Sequence, residues 1–305
     1  MTSLKTLNIK KPIIFLKLLE NRELIVVDSQ TTVRYLEIDR LKVRYGFKLA
    51  IEQKYYKNRV IDFSGDMHHL VSISHDRKEA RVYTTASTKI VAQIDRHHGE
   101  VSCVGIDPSG KYMFAAGDDG KTFGVDIDEG RLAFTLPHHI DMVNDIAFHK
   151  DANLVATASY DKSISIFNFK IDEIVQQLRV HSQQVLKIKF LTENRLFSVD
   201  SKATAIIWDI YSAKVLSVLQ GIHDDITQVI SIKEDKFLLL GTALGYIILY
   251  DLENYKLLSK KYIKLSSTIL SLEFYSVKNQ LIIGTEEGKL FFYNIYEGES
   301  YLKEL

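Results

Sequence analysis

The feature that most constrains this chain is a dipeptide that recurs seven times at nearly constant spacing. Each copy begins with an aromatic or aliphatic residue and usually ends with Asp or Asn, and the steps between copies are 47, 42, 42, 41, 42 and 43 residues. The copies are Leu36-Glu37, Tyr83-Thr84, Val125-Asp126, Phe167-Asn168, Trp208-Asp209, Tyr250-Asp251 and Tyr293-Asn294. A period slightly above forty is typical of small β-sheets repeated around an axis. The copies span most of the 305 residues, so one architecture is predicted for the whole chain.

One repeat shows how each unit is built. Short apolar-rich runs at Val143–Phe148, Leu154–Ser159 and Ile164–Phe167 are separated by turn-forming residues, and Glu173–Val180 gives a fourth run. Runs of about five residues without a 3.6-residue periodicity predict strands and not helices. The predicted fold class is therefore all-β: a seven-bladed β-propeller of four-stranded antiparallel blades. We expect residues 1–305 to form a single domain.

Histidines recur at a second fixed position. His98, His139, His181 and His223 lie 28, 29, 28 and 28 residues before the ends of their dipeptides. This agreement indicates a structural role for the four histidines.

The histidines, the turn residues Asp119 and Asp161, and the closing pair Trp208-Asp209 together resemble the WD40 repeat family over about residues 4 to 298. The resemblance implies a propeller closed by an N-terminal strand that completes the last blade. Residues 4–9 fit that strand and should pair beside Leu290–Asn294. Residues 299–305 alternate in a similar way and are the rival for this position.

The resemblance also implies specific contacts. His98 should contact Asp119, and His139 should contact Asp161. Val125 and Phe167 replace Trp in these two blades, so a network that ends on an indole is incomplete there. Trp208 fills the same position in blade 5 and is expected to be buried. In blades 1, 2 and 7 the positions equivalent to the histidines hold Ile9, Tyr56 and Ser266.

Composition limits the classes of partner. The 39 basic and 39 acidic residues cancel, which argues against general electrostatic capture of nucleic acid or of an anionic membrane. Cys103 is the only cysteine, so no intrachain disulfide is possible and a reducing compartment is expected. The apolar run at residues 12–19 is interrupted by Lys17 and lacks a cleavage site, so it is a poor signal peptide. We expect a cytoplasmic monomer without a membrane span.

Residues of the types used in catalysis and metal binding have structural explanations in this chain. Adjacent residues of a strand face opposite sides, so histidine pairs do not offer two ligands to one metal ion. Paired carboxylates lie in predicted turns, where Asp is common. Cys103 lies in a predicted strand and should act as a small buried apolar residue. The sequence predicts no catalytic residue, no metal site and no cofactor.

Charged residues also occur within the predicted innermost strands. They are Asp62, Asp145, Lys187, Lys189 and Glu273. One interpretation is that they point into a water-filled central channel, and the other is that they form a site for an ion or a small anion.

The predicted function is a non-enzymatic scaffold for protein–protein interaction, with its binding residues in loops. The candidate loop residues are Tyr56, Glu100, Asp141, Met142, Tyr160, Gln184 and Asp225. A basic segment at residues 40–59 adds the candidates Lys54, Lys57 and Arg59.

Three other hypotheses remain open at this point. The chain could be an accessory or assembly factor of a larger enzyme complex, such as a bacterial respiratory enzyme. It could bind RNA or ribonucleoprotein through the basic, Tyr-containing blades 6 and 1. A propeller enzyme is the remaining class, and it would need carboxylates that converge in the channel.

Overall fold

A computed structural model describes residues 5–20, 22–53, 58–136, 139–150, 153–192 and 194–295. Within them the chain forms seven four-stranded antiparallel sheets, which confirms the fold class of a seven-bladed β-propeller. We call each sheet a blade. The contacts divide the chain into two compact units: a middle unit, Asn58–Gln220, and a terminal unit formed by the residues before and after it. The expectation of a single domain stays a prediction.

The middle unit holds blades 2 to 5. Each blade is a meander of four consecutive strands, numbered in chain order after the five strands that precede them. Blades 2 and 3 are β6 (Ile61–Phe63), β7 (His69–Ile73), β8 (Ala80–Thr84), β9 (Ile90–Ile94), β10 (Val101–Ile106), β11 (Tyr112–Gly117), β12 (Thr122–Asp126) and β13 (Arg131–Thr135). Blades 4 and 5 are β14 (Val143–Phe148), β15 (Leu154–Ser159), β16 (Ile164–Asn168), β17 (Glu173–Leu178), β18 (Val185–Phe190), β19 (Arg195–Asp200), β20 (Ala205–Asp209) and β21 (Lys214–Leu219).

The terminal unit holds blades 1, 6 and 7. Blade 1 is β2 (Ile13–Leu18), β3 (Glu23–Asp28), β4 (Thr32–Glu37) and β5 (Lys42–Lys48). Blade 6 is β22 (Ile226–Ile232), β23 (Phe237–Thr242), β24 (Tyr246–Asp251) and β25 (Lys256–Lys264). Blade 7 is β26 (Ile269–Tyr275), β27 (Gln280–Thr285) and β28 (Lys289–Asn294), with β1 (Lys5–Asn8) as its fourth strand. A 3-10 turn, Ser276–Lys278, joins β26 to β27.

The recurring dipeptide ends the third strand of every blade. In blades 1 to 6 the register between the third and fourth strands shifts directly before the first residue of the dipeptide, as between Ile207 and Trp208. A register shift of this kind is a β-bulge, which bends a strand and re-aims the next side chain. The period of the sequence thus marks a repeated irregularity of the backbone.

Apolar side chains pack between the faces of neighbouring blades within each unit. Trp208 lies in a cluster formed by blades 4 and 5 and is fully buried, as predicted. Phe167 occupies the same position in the cluster between blades 3 and 4. In the terminal unit one cluster joins blades 6 and 7 and another joins blades 7 and 1. Neighbouring blades are therefore held together by burial of apolar surface.

The N-terminal strand completes the last blade. β1 pairs antiparallel with β28, from Lys5 opposite Phe292 to Asn8 opposite Lys289. Leu7 packs against the apolar cluster of blades 7 and 1. The predicted pairing is confirmed, and the rival segment 299–305 lies outside the described residues.

Candidate interaction surface

Each blade has two kinds of loop at one end: the segment that enters its first strand, and the hairpin between its second and third strands. We call this end the loop face and the opposite end the base. In six blades the hairpin donates a backbone N–H to the carbonyl oxygen of the residue directly before the first strand. The donor–acceptor pairs are Asp118–Glu100, Tyr160–Met142 and Ser201–Gln184 in the middle unit, and Ser29–Pro12, Ala243–Asp225 and Glu286–Thr268 in the terminal unit, at 2.8 to 3.0 Å.

These bonds hold the backbone of four predicted binding residues, Glu100, Met142, Gln184 and Asp225, at equivalent positions. The side chains of Gln184 and Asp225 are exposed, and that of Met142 is half-buried. Glu100 is 49% exposed and forms an ion pair with Arg77 Nε at 2.9 Å. A fixed backbone that presents outward side chains loses little entropy when a partner binds.

Blade 4 presents an exposed aliphatic side chain on the loop face of the middle unit. Asp141 is exposed and Tyr160 is half-buried, so both predicted residues are accessible. Sequence reasoning missed Ile140, which is 93% exposed. Its backbone N–H donates to Asp161 Oδ2 at 3.2 Å, so the loop that carries it is fixed to the hairpin. The missed signal was an aliphatic residue between His139 and Asp141 in a predicted loop.

Blade 5 contains a complete buried network of four side chains. Trp208 Nε1 donates to Ser198 Oγ at 2.7 Å, and His181 Nε2 lies 2.7 Å from the same oxygen. His181 Nδ1 lies 3.1 Å from Asp200 Oδ2. Because the Asp200 carboxylate can only accept, Nδ1 carries the proton, and Nε2 of the neutral ring then accepts from the Ser198 hydroxyl, which itself accepts from the indole. Sequence reasoning missed Ser198 and Asp200, which lie 17 and 19 residues after the histidine.

Blade 4 holds the same network without the indole. His139 Nδ1 lies 2.9 Å from Asp161 Oδ2, which is the contact that the resemblance implies. His139 Nε2 lies 2.9 Å from Thr157 Oγ1, and Thr157 occupies the strand position of Ser198. The network ends there because Phe167 has no polar atom to offer.

Blade 3 corrects the prediction for His98. The buried ring is that of His97, whose Nδ1 lies 3.0 Å from Asp119 Oδ1, whereas the His98 side chain is exposed. His98 contributes only its backbone N–H, which donates to Asp119 Oδ2 at 3.0 Å. Neighbouring residues face opposite ways here, so an error of one position exchanges the inward ring for the outward one. Ala115 occupies the position of Ser198, and His97 Nε2 lies 3.3 Å from its carbonyl oxygen.

Blade 6 corrects the structural role predicted for His223, whose side chain is exposed. Its hairpin has Leu244 where blades 3 and 4 have an inward carboxylate, and Leu240 stands at the position of Ser198. The loop uses a different bond, in which Leu244 N–H donates to Asp224 Oδ2 at 2.9 Å. At these two positions leucine offers no polar atom to an inward imidazole, and a buried polar ring requires hydrogen-bond partners.

Burial and hydrogen bonding set the charge states of these networks. Burial lowers the pKa of His181, although Asp200 opposes this shift. Burial raises the pKa of Asp119 and of Asp161, but hydrogen bonds from His97, Ser163 and nearby backbone N–H groups lower both by more. Both carboxyls therefore titrate below their ordinary range, and His181 stays neutral to lower pH than a free histidine.

The charged residues of the innermost strands act as bridges between blades. Three carboxylates each accept a backbone N–H from the first strand of the following blade. The pairs are Asp62 with Ile106 at 3.2 Å, Asp145 with Ile188 at 3.1 Å and Glu273 with Leu18 at 3.3 Å. Asp145 and Lys187 are buried, and burial lowers the pKa of Lys187 although Asp145 opposes this shift. Lys189 is half-buried. The carboxylates thus have a structural use that neither interpretation from sequence had included.

Arg59 differs from the basic surface residue that was predicted. Its side chain is 38% exposed, with Nη1 3.6 Å from Asp62 Oδ2 and Nε 3.8 Å from Asp145 Oδ1. The other members of the same prediction, Tyr56, Lys54 and Lys57, lie outside the described residues.

The basic strand of blade 1 is also paired within the protein. Arg44 Nη1 lies 2.8 Å from Glu23 Oε1, and Arg40 Nε lies 3.5 Å from Glu37 Oε1. With Arg59, three of the seven basic residues at positions 40–59 thus have carboxylate partners within the protein.

Comparison with known proteins agrees with this geometry. The profile of the family described as "WD domain, G-beta repeat" (WD40) matches residues 88–123 and 130–168. This chain carries WD40 repeats. The two matches cover the fourth strand of one blade and the strands that follow it, in blades 3 and 4, where the histidine–carboxylate pairs are present.

The WD40 chain is also similar to proteins described as "WD repeat-containing protein 55 homolog". It is 27% identical to the protein of Drosophila persimilis over 167 residues, which covers 54% of this chain and 33% of that protein. It is 24% identical to the Drosophila melanogaster protein over 179 residues, or 58% and 35% of the two chains. The matches thus span about a third of the length of the curated relatives.

Cys103 carries the one thiol of the chain. Cys103 is buried, and burial raises the pKa of its thiol to about 12, so it does not act as a thiolate. No three His, Cys, Asp or Glu side chains in the described ranges converge as metal ligands would. No helix in that part of the chain is long and apolar enough to cross a bilayer.

Proposed function

We propose that this WD40 chain is a non-enzymatic scaffold that binds protein partners through its loop face. The observation that carries the proposal is Ile140, 93% exposed on a loop whose backbone is fixed to the neighbouring hairpin. Covering an exposed aliphatic side chain removes apolar surface from water, so it makes the free energy of binding more favourable. A rigid loop holds the side chain ready for this contact. Asp141, Met142 and Tyr160 surround it with one charge and two larger contact groups.

The loops that enter the first strands of other blades present further candidate binding residues. Glu100 and Gln184 of the middle unit would then supply polar contacts around the apolar centre, as is usual at protein interfaces. Asp225 holds the equivalent position in the terminal unit and would contribute to binding there. The single buried thiol agrees with a reducing compartment such as the cytoplasm.

Ile140→Asp tests the proposal, with Ile171→Asp as the matched control. Ile171 is 58% exposed at the base of the same blade, in the turn between β16 and β17. The immobilised wild type and both variants would be exposed to extract of the native organism, and the bound proteins compared by mass spectrometry. We expect Ile140→Asp to lose partners that Ile171→Asp retains, with similar melting temperatures. Equal capture by the two variants would contradict a loop-face site.

The same experiment separates the rival functions. Capture of the subunits of one enzyme complex would favour an assembly factor. Binding of RNA that weakens steeply with salt would favour the nucleic-acid hypothesis. The ion pairs of Arg40 and Arg44 reduce the charge that blade 1 could offer to phosphates, which supports the protein scaffold over RNA binding.

A further inference from the structure

The base of blade 7 contains a polar cavity of about 380 Å³. It is lined by Lys5, Lys278, Gln280 and Asn294. These residues come from four different segments: the start of β1, the 3-10 turn, the start of β27 and the end of β28. The cavity therefore exists only when the N-terminal strand is paired with the last blade.

Two ammonium groups and two amides make up this lining. Gln280 Nε2 donates to Asn294 Oδ1 at 2.8 Å, so the two amides fix each other's orientation. The Asn294 NH2 group then supplies N–H donors, and each ammonium supplies three more. Donors and positive charge at one place are the requirements for binding an oxyanion.

A carboxylate of the protein already uses part of this charge. Lys278 Nζ forms an ion pair with Asp39, which lies in the turn between β4 and β5. The hydrogen bond and charge of Lys278, together with the charges of Arg22 and Lys5, hold the pKa of Asp39 below its ordinary value. The cations thus already stabilise one anionic oxygen, and they exceed it in charge.

We propose that this cavity binds a phosphoryl dianion, with Lys5 and Lys278 supplying the charge and the Gln280–Asn294 pair supplying directional donors. A phosphate monoester offers three acceptor oxygens and nearly two negative charges, which matches two lysines better than a single carboxylate does. Asp39 competes with the ligand for Lys278. The site lies at the opposite end of the blade from the loop face. Binding of a phosphoryl group here is therefore independent of partner binding at the loop face.

Binding is coupled to the pairing of β1. Because Lys5 belongs to β1 and the other three residues belong to the rest of blade 7, a bound dianion links the strand to the sheet. A ligand that binds only the folded state raises its melting temperature. We therefore expect phosphate to stabilise the protein more than chloride does at equal ionic strength.

The test compares thermal melting in sodium phosphate and in sodium chloride of matched ionic strength. For the wild type we expect a phosphate-specific rise of about 2–4 °C at a concentration about ten times Kd. Lys5→Gln and Lys278→Gln should each lose this rise relative to their own chloride baseline. Lys289→Gln is the control, since Lys289 lies on β28 at the loop face and pairs with Glu287. It should behave as the wild type does.

Asp39→Asn provides a gain of affinity that mere destabilisation cannot imitate. Removing the competing carboxylate should tighten phosphate binding about two- to five-fold, the factor expected for an exposed ion pair. O-phosphoserine and glycerol 3-phosphate, compared at one concentration, distinguish a phosphorylated side chain from a lipid headgroup as the source of the group. Equal effects of phosphate and chloride in the wild type, or unchanged affinity in Asp39→Asn, would overturn the proposal.

Discussion

At the scale of single residues, one hydroxyl determines how blade 5 differs from its neighbours. Ser198 Oγ accepts from the Trp208 indole and donates to His181, so it joins the apolar cluster to the loop face. Blade 4 has Thr157 in this position but no indole, and blade 3 has Ala115. The path of side chains from the third strand through the histidine to the carboxylate therefore has four members in blade 5, three in blade 4 and two in blade 3, and in blade 4 Ser163 adds a further bond to both His139 and Asp161.

This series predicts a large effect for Trp208. Truncation to Ala should lower the free energy of unfolding by about 3–5 kcal/mol, because a fully buried indole is replaced by a cavity. Trp208→Phe keeps most of the volume and leaves Ser198 without its donor, so it should cost about 1–3 kcal/mol. Urea denaturation followed by circular dichroism measures both. Equal losses for the two variants would show that the cavity contributes little.

His181 predicts a dependence of stability on pH. Its pKa in the folded protein is lower than the ordinary value of 6.5, so the unfolded chain binds the proton more tightly. The contribution to stability is then complete above pH 6.5 and declines as the pH falls through the interval between the two values. We expect the wild type to lose more stability than His181→Gln when the pH is lowered from about 7.5 to about 5.

The exposed neighbour in blade 3 provides the control for this measurement. His98→Gln should follow the wild type over the same range, because the His98 ring is exposed. Asp119 and Asp161 do not interfere, since their lowered pKa values place their titration below the ordinary carboxyl value of 3.8. If His181→Gln loses as much stability as the wild type, the network does not hold a neutral ring.

Sequence reasoning placed these residues only in part. The offset from the dipeptide located His139 and His181, but it could not choose between His97 and His98, because adjacent residues differ only in the direction that they face. It assigned a role to His223 because spacing says nothing about the partners of the ring, and blade 6 has Leu240 and Leu244 at the two positions that hold polar partners in blade 4. Ser198 could have been found because it precedes Trp208 by the same ten residues that separate Thr157 from Phe167, but Asp200 ends its strand while the carboxylate of blade 4, Asp161, lies in the hairpin.

At the scale of strands, periodicity was sufficient for most of the fold. All seven dipeptides end a third strand, and the pairing of residues 4–9 beside Leu290–Asn294 was predicted. The β-bulges were not predicted, because the extra unpaired residue of a bulge is not distinguished by its residue type. The hydrogen bonds that Asp62 and Asp145 accept were not predicted either. The position of a charged residue in an apolar strand indicates burial but does not identify the N–H group that donates to it.

The fourth strand of blade 7 predicts unequal effects of trimming the two ends. Removal of residues 1–9 should lower the melting temperature sharply, because it exposes the edge of β28 and uncovers the cluster that Leu7 contacts. Removal of residues 299–305 should matter less. Differential scanning fluorimetry of the two truncated proteins decides between them, and the reverse order would show that the other end contributes more to the blade.

At the scale of the whole molecule, the contacts define two compact units, while the repeat predicts one domain. Repeats that stabilise one another through neighbouring interfaces unfold together when those interfaces are strong. We therefore expect one calorimetric transition, with equal calorimetric and van't Hoff enthalpies. Two transitions would show that the middle and terminal units are separate domains.

The pairing of β1 with β28 also has a consequence for synthesis on the ribosome. About 280 residues separate the two strands, so the first strand emerges long before its partner exists. At ~5–20 residues per second this interval lasts roughly 15 to 60 s. Throughout that time the nascent chain carries a strand with no sheet to join, and the last blade cannot be completed until translation has passed Asn294. A chaperone that binds β1 as it emerges would therefore act earlier, and for longer, than a chaperone that binds the finished chain.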